Sequence, residues 1–178
     1  MENLEMNVIE NNNPKIYVAD LAAYNNGYLH GVWIDVTKDL DVIWDKVNTM
    51  LKKSPVGPTA EEYAIHDFEC FDGYRVEEYE SFETLHDIAL FLKEHGDVAS
   101  AALSYCSDLD EAREMVEDRY HGCHESEEEF AAQLYEDCHE IPESLQNYID
   151  YAKLARDLFI NDFISVEDKD HNIHVFSY

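Results

Sequence analysis

Basic residues are scarce in this sequence. Its 178 residues hold 12 Lys and Arg against 40 Asp and Glu, a formal net charge of −28. A surface of that sign repels DNA, RNA and anionic lipid, so a macromolecular partner should be strongly basic and its attraction should weaken as salt rises. No run of about 18 apolar residues is available to span a membrane. The opening MENLEMNVIE has neither the cationic nor the apolar segment of an export signal. A cytoplasmic protein is expected, with no nucleic acid and no membrane as partner.

Catalytic signatures are absent as well. The chain has no phosphate-binding glycine loop, no Gly-x-Ser-x-Gly, no His-Glu-x-x-His and no EF-hand loop, so neither enzyme activity nor a cofactor is expected. There are only four cysteines, Cys70, Cys106, Cys123 and Cys138, and without an export signal they are expected as free thiols. His121, Cys123, His124, Cys138 and His139 are potential soft ligands. No Cys-x-x-Cys pair accompanies them, and adjacent helical positions 138 and 139 project about 100° apart, so no metal is expected.

What the sequence does have is carboxylates interleaved with aromatics. Residues 61–80, EEYAIHDFECFDGYRVEEYE, hold eight carboxylates together with Tyr63, Phe68, Tyr74 and Tyr79. A disordered acidic tract is poor in large apolar side chains, so this stretch should fold, with the aromatics as anchors in the core. The overall 46% apolar content suffices for a core.

Periodicity and turn signals divide the chain into three parts. Asn11 to Asn13 and Pro14 suggest a tail over 1–13, with structure beginning at Lys15. Ile16–Ala19 and Val32–Val36 read as strands, DLDVIWDKVNTMLKK as a helix burying Leu40, Ile43, Val47 and Met50 or Leu51, and Tyr63 onward as a further strand reaching about Tyr74. This gives an α+β domain over 14–76. A helical module over 77–117 follows, in which Phe82, Leu85, Ile88, Ala89 and Leu92 share one face, and Ser107 with Asp110 is spaced as a capping box. The last part, 118–178, holds a helix opened by Ser126 and Glu129, one or two further helical turns after Pro142, and a terminal hairpin. In that hairpin Ile164 and Val166 should face Ile173 and Val175.

The charge is unevenly placed. Residues 1–60 carry 8 acids and 5 bases, whereas residues 61–178 carry 32 acids and 7 bases. The candidate surface comprises Glu61, Glu62, Asp67, Glu69, Asp72, Glu77, Glu78 and Glu80; Glu83 and Asp87; Asp110, Glu111, Glu114, Glu117 and Asp118; and Glu127, Glu128, Glu129, Glu136 and Asp137. Like charges at i, i+3 and i+4 cost a helix roughly 0.2–0.5 kcal/mol each, so such rows serve something other than stability. A duplex presents one charge per roughly 1.7 Å, which makes 28 charges equivalent to about 48 Å, or on the order of 14 base pairs. An elongated arrangement of three small units would space charge that way, and it could occupy a DNA-binding groove. A general acidic chaperone of basic proteins would need only the charge.

The stretches KIYVADLAAYNNGYLHGVWIDV, EEYAIHDFE and PESLQNYIDYAKLARDLF resemble the ArdA antirestriction proteins, over about residues 14–178. That resemblance implies carriage by conjugative mobile elements and three small domains, the last of them pairing with its twin. It implies an elongated homodimer that mimics bent duplex DNA and fills the DNA site of type I restriction-modification enzymes, whose methyltransferase core is the expected partner. On the same basis Glu61, Glu62, Asp67 and Glu69, and Glu143, Asp150 and Asp157, fall on family-pattern positions.

Overall fold

The structure is a computed structural model, and it describes residues 12–57, 60–106, 108–145 and 148–178. It is mixed α+β, with seven helices and two three-stranded antiparallel sheets among those residues. Two compact units result: one takes in the chain up to Phe71 and again Arg75–Lys93, the other Asp72–Tyr74 and Glu94–Tyr178. Among the described residues no helix is long and apolar enough to cross a membrane.

The first unit is built on a sheet of order β2-β1-β3, with β1 Lys15–Asp20, β2 Gly31–Asp35 and β3 Tyr63–Glu69. The expected tail lies outside the described residues as far as residue 11. Asn13 is already tied down, donating from Nδ2 to Asp35 Oδ2 at 2.9 Å. Central β1 alternates so that Ile16 and Val18 are fully buried, as a strand covered on one face requires. A short helix α1, Leu21–Asn25, occupies part of the segment that reads as a plain turn. Asp20 caps it, its side chain accepting from the Ala23 N–H at 3.0 Å.

Helix α2, Leu40–Lys52, buries Ile43, Val47 and Met50, which decides between Met50 and Leu51. Helix α3, Phe82–His95, begins in this unit and buries Phe82, Leu85, Ile88 and Ala89, with Phe91 added where Leu92 was expected. Phe82 stacks on Tyr63 of β3 at 5.4 Å and meets Trp44 of α2 edge-on at 4.8 Å. The His86 Nδ1 lies 2.7 Å from the Val36 carbonyl oxygen.

Two expectations about residues 61–80 need correction. Strand β3 stops at Glu69 rather than near Tyr74, because Cys70 and Gly73 take positive φ, 60° and 79°, and turn the chain away. Phe68 and Tyr79 are surface residues, 39% and 70% exposed, and not core anchors. The β1–β3 register jumps between Tyr17 and Val18, leaving His66 without a partner. That bulge shifts the side-chain alternation of the edge strand, so the end of β3 points to solvent.

The second unit carries α4 Asp97–Tyr105, α5 Leu109–Asp118, β4 Tyr120–His124, α6 Glu127–Cys138, α7 Tyr151–Asn161, β5 Phe163–Glu167 and β6 Ile173–Ser177. Alanines let α4 pack closely, with Ala99, Ala101 and Ala102 buried. At Gly73 a β-carbon would lie 2.0 Å from the Ser100 carbonyl oxygen, so only glycine lets the 72–74 turn lie on α4. Helix α5 is capped by Asp108, which accepts from the Asp110 and Glu111 N–H groups. The cap expected from Ser107 falls outside the described residues. Helix α6 starts as expected, Ser126 accepting from Glu129 N–H at 3.1 Å, while Glu129 Oε2 accepts from the Glu125 N–H.

Helix α7 runs three turns from the Asp150 cap, longer than the turns expected after Pro142. The unexpected strand β4 changes the C-terminal sheet. Its order is β4-β6-β5, so the terminal strand is central. The hairpin pairs Ile164 with Phe176 and Val166 with His174, not with Ile173 and Val175. Directly paired residues share a face, so the expected apolar set is offset by one residue. Phe130 of α6 joins Phe159 and Phe163 at 5.7 and 4.9 Å in the core between α6, α7 and β5.

Candidate functional site, the acidic surface

The sequence places charge on the outer positions of its elements, and the structure puts those positions in solvent. Of the twenty candidate carboxylates, none is buried. Eighteen are exposed, and Glu80 and Glu127 are half-buried. Glu127 accepts a hydrogen bond from the Ser165 hydroxyl at 2.6 Å, so it holds α6 to β5 as well as contributing charge. Glu143, Asp150 and Asp157 are also exposed, and Asp150 is the α7 cap.

Counting the whole sequence, the first unit has 17 acids and 7 bases, net −10, and the second 23 acids and 5 bases, net −18. The few cations are partly committed. Arg119 binds Glu114, Arg113 lies 3.9 Å from Asp110, and Lys169 lies 3.2 Å from Asp97. Exposed pairs of this kind contribute little, roughly 0–1 kcal/mol each.

In the first unit the fold gathers carboxylates that the sequence separates. Glu61, Glu62, Glu80 and Glu83 line a surface hollow whose apolar side is Trp44, Tyr63, Tyr79 and Phe82. Asp67, Glu77 and Glu78 line a second hollow with Arg75. Two phenols beside these carboxylates titrate above their ordinary value. Tyr79 titrates above its ordinary value because its hydroxyl is hydrogen-bonded to Glu78, and Tyr63 does so through burial and the charge of Glu83. The 61–80 segment thus combines an anchor with charge: Tyr63 packs inward against Phe82 of α3 while the acids rim the hollows.

In the second unit Asp110, Glu111, Glu114, Glu117 and Asp118 lie along α5, opposite buried Ala112 and Met115. Along α6, Glu128, Glu129 and Glu136 project away from buried Phe130 and Ala131, whereas Glu127 and Asp137 lie at its two ends on the same side as those residues. Both helices carry acids in the first turn, which the helix dipole favours, and neither has a base in its last turn. Glu117, Asp118, Glu136 and Asp137 therefore oppose the dipole at the C-terminal ends. Glu136 Oε1 accepts from the Tyr151 hydroxyl at 3.0 Å; desolvation, and then this bond, raise the Tyr151 pKa. Asp72 stands apart from these rows, lining a cavity of about 290 Å³ with Asp97, Glu167, Asp168 and Lys169. Sequence reasoning missed Asp97, Glu167 and Asp168 because they sit at a helix start and a hairpin turn, where an acid is locally unremarkable.

The family model for the antirestriction protein ArdA matches residues 16–171 of the chain. Comparison with individual curated proteins gives no match.

Proposed function

The chain belongs to the ArdA family of antirestriction proteins, and from that premise we propose that it is a duplex-DNA mimic that occupies the DNA groove of type I restriction-modification enzymes. The observation that carries the reading is the placing of acids along α5 and α6. Exposed carboxylates run to both ends of each helix, where those at the C-terminal ends weaken it. A carboxylate standing where a phosphate would stand meets the enzyme's Lys and Arg and displaces the anions associated with them, with no covalent chemistry. Blocking that groove in the cytoplasm would protect incoming mobile-element DNA from cleavage.

A homodimer fits this role, since it doubles the length of duplex imitated. The exposed apolar residues Leu145, Tyr148 and Ile160 of the second unit, 53%, 84% and 66% exposed, are the surface on which two copies would meet. Two chains of −28 repel, so self-association should tighten as salt rises, whereas binding to a basic groove should loosen. Sedimentation of the protein alone at two salt concentrations checks the first sign. Dissociation by added salt would rule out an apolar interface of this kind.

Competition tests the mimicry itself. A methyltransferase core bound to labelled target DNA should release it at about one dimer per enzyme. The affinity should fall with salt by a part of the roughly 10³–10⁵-fold that proteins making 6–10 phosphate contacts lose between 50 and 200 mM. Only a part is expected, because the protein carries no condensed counterion atmosphere like that of DNA. An acidic chaperone acting by charge alone would displace DNA no better than heparin at equal charge, and that result would overturn the proposal.

A further inference from the structure

We infer that the second unit contains a binding site for a thiophilic divalent transition cation, zinc by its chemistry, formed by Cys123, Asp168 and His174. The site is independent of the antirestriction reading. Register creates it: β4 and β6 are antiparallel with Cys123 directly opposite His174, so the two side chains emerge on the same face. Asp168 comes from the turn joining β5 to β6, and one ligand atom from each of the three residues lies within 4.8 Å of the other two.

His174 is what points to a ligand. It is 4% exposed, its Nε2 is fully buried, and that nitrogen has no hydrogen-bond partner. Buried polar atoms are satisfied in nearly all folded proteins, and an orphan calls for an unseen ion or water. The other ring nitrogen is engaged, Nδ1 lying 3.0 Å from the Tyr120 hydroxyl. With Nδ1–H donating to Tyr120, Nε2 presents its lone pair, the arrangement in which a histidine binds metal.

Asp168 Oδ2 is 3.5 Å from Nε2. A proton shared between them would be held at about 2.7–2.9 Å in a charge-assisted bond, whereas two ligands of one tetrahedral zinc, each about 2.0–2.2 Å from the ion, stand roughly 3.3–3.5 Å apart. Asp168 is fixed for the task, its Oδ1 accepting from the Asp170 and Asn172 N–H groups at 2.8 and 3.0 Å. Cys123 is exposed and leaves a way in from solvent. A thiolate, an imidazole and one carboxylate select zinc or cobalt over magnesium or calcium, which take oxygen ligands.

The neighbouring soft residues take no part. His121 packs edge-on against Phe163 at 5.0 Å, His124 lies against Phe130 at 5.1 Å, and His139 stacks on Tyr135 at 4.2 Å. A bound ion would clamp β4 to the β5–β6 hairpin and leave one coordination position open.

Titration of the chelator-treated full chain with Co²⁺, in excess Mg²⁺ to occupy the exposed carboxylates, tests the site. We expect tetrahedral cobalt absorption and a thiolate charge-transfer band that saturate at one ion per chain and are bleached by Zn²⁺. Cys123→Ser, at an exposed position that should not disturb folding, should abolish the charge-transfer band, while Cys138→Ser should leave it intact. Asp168→Asn should weaken binding more than about tenfold and Tyr120→Phe about tenfold, as lost hydrogen-bonded support of a ligand does. Absence of the band in the folded wild-type protein, or a band that survives Cys123→Ser, would overturn the inference.

Discussion

Converting Glu117, Asp118, Glu136 and Asp137 to their amides is expected to yield a more stable protein that inhibits less well. All four are exposed and lie in or beside the last turns of α5 and α6; neither turn contains a base, and Arg119, which follows α5 at its C-cap, is engaged by Glu114. A negative charge there opposes the helix dipole by roughly 0.3–1 kcal/mol at low salt. Four such sites, discounted for exposure, should raise stability by about 1 kcal/mol or slightly more. The amide of Glu136 can still accept from Tyr151. If these charges face the enzyme's cations, losing four exposed pairs at about 0.2–1 kcal/mol each weakens inhibition on the order of tenfold. Urea midpoints and displacement of labelled DNA measure the two effects. The matching control neutralises Asp39, Asp41 and Asp45, exposed acids around α2. An equal loss per charge in both variants would show a response to total charge and count against mimicry.

Phe82→Ala should strongly destabilise the first unit. Phe82 is 1% exposed and joins three elements, packing from the start of α3 against Tyr63 of β3 and Trp44 of α2. Truncating a buried phenylalanine costs about 3–5 kcal/mol from lost transfer energy and the cavity left behind. Against a total of roughly 5–15 kcal/mol for a domain, that is a large share. The change also removes the packed floor beside Glu61, Glu62, Glu80 and Glu83, so inhibition should fall together with stability, unlike in the amide variant. Denaturant unfolding with an unchanged slope and a lower midpoint is the expected record. A midpoint within error of the wild type would show that the three-ring cluster is not what joins these elements.

Much of this was legible locally. The spacing of Ile43, Val47 and Met50 placed α2, Ser126 with Glu129 placed the start of α6, and the face of Phe82, Leu85, Ile88 and Ala89 placed α3. Strand β4 was not legible. YHGCH has no alternating β-branched residues, and Gly122 sits at φ 111°. Pairing with β6, about fifty residues away in sequence, makes it a strand, and a local pattern cannot register such a partner. Phe68 and Tyr79 were misread for a related reason: apolar type favours burial, but the bulge at His66 and the turn before α3 decide where those side chains point.

By itself, then, the sequence determined the sign of the field, the bias of acids toward the last two thirds of the chain, and the helices that display them. Charge and helical period are properties of neighbours along the chain, and they survive any packing that leaves the apolar faces inside. Only the tertiary structure decided which acids rim one hollow, which strand lies at the centre of the second sheet, and that Cys123, Asp168 and His174 stand together. Those are matters of register and closure, where a shift of one residue turns every side chain to the other face.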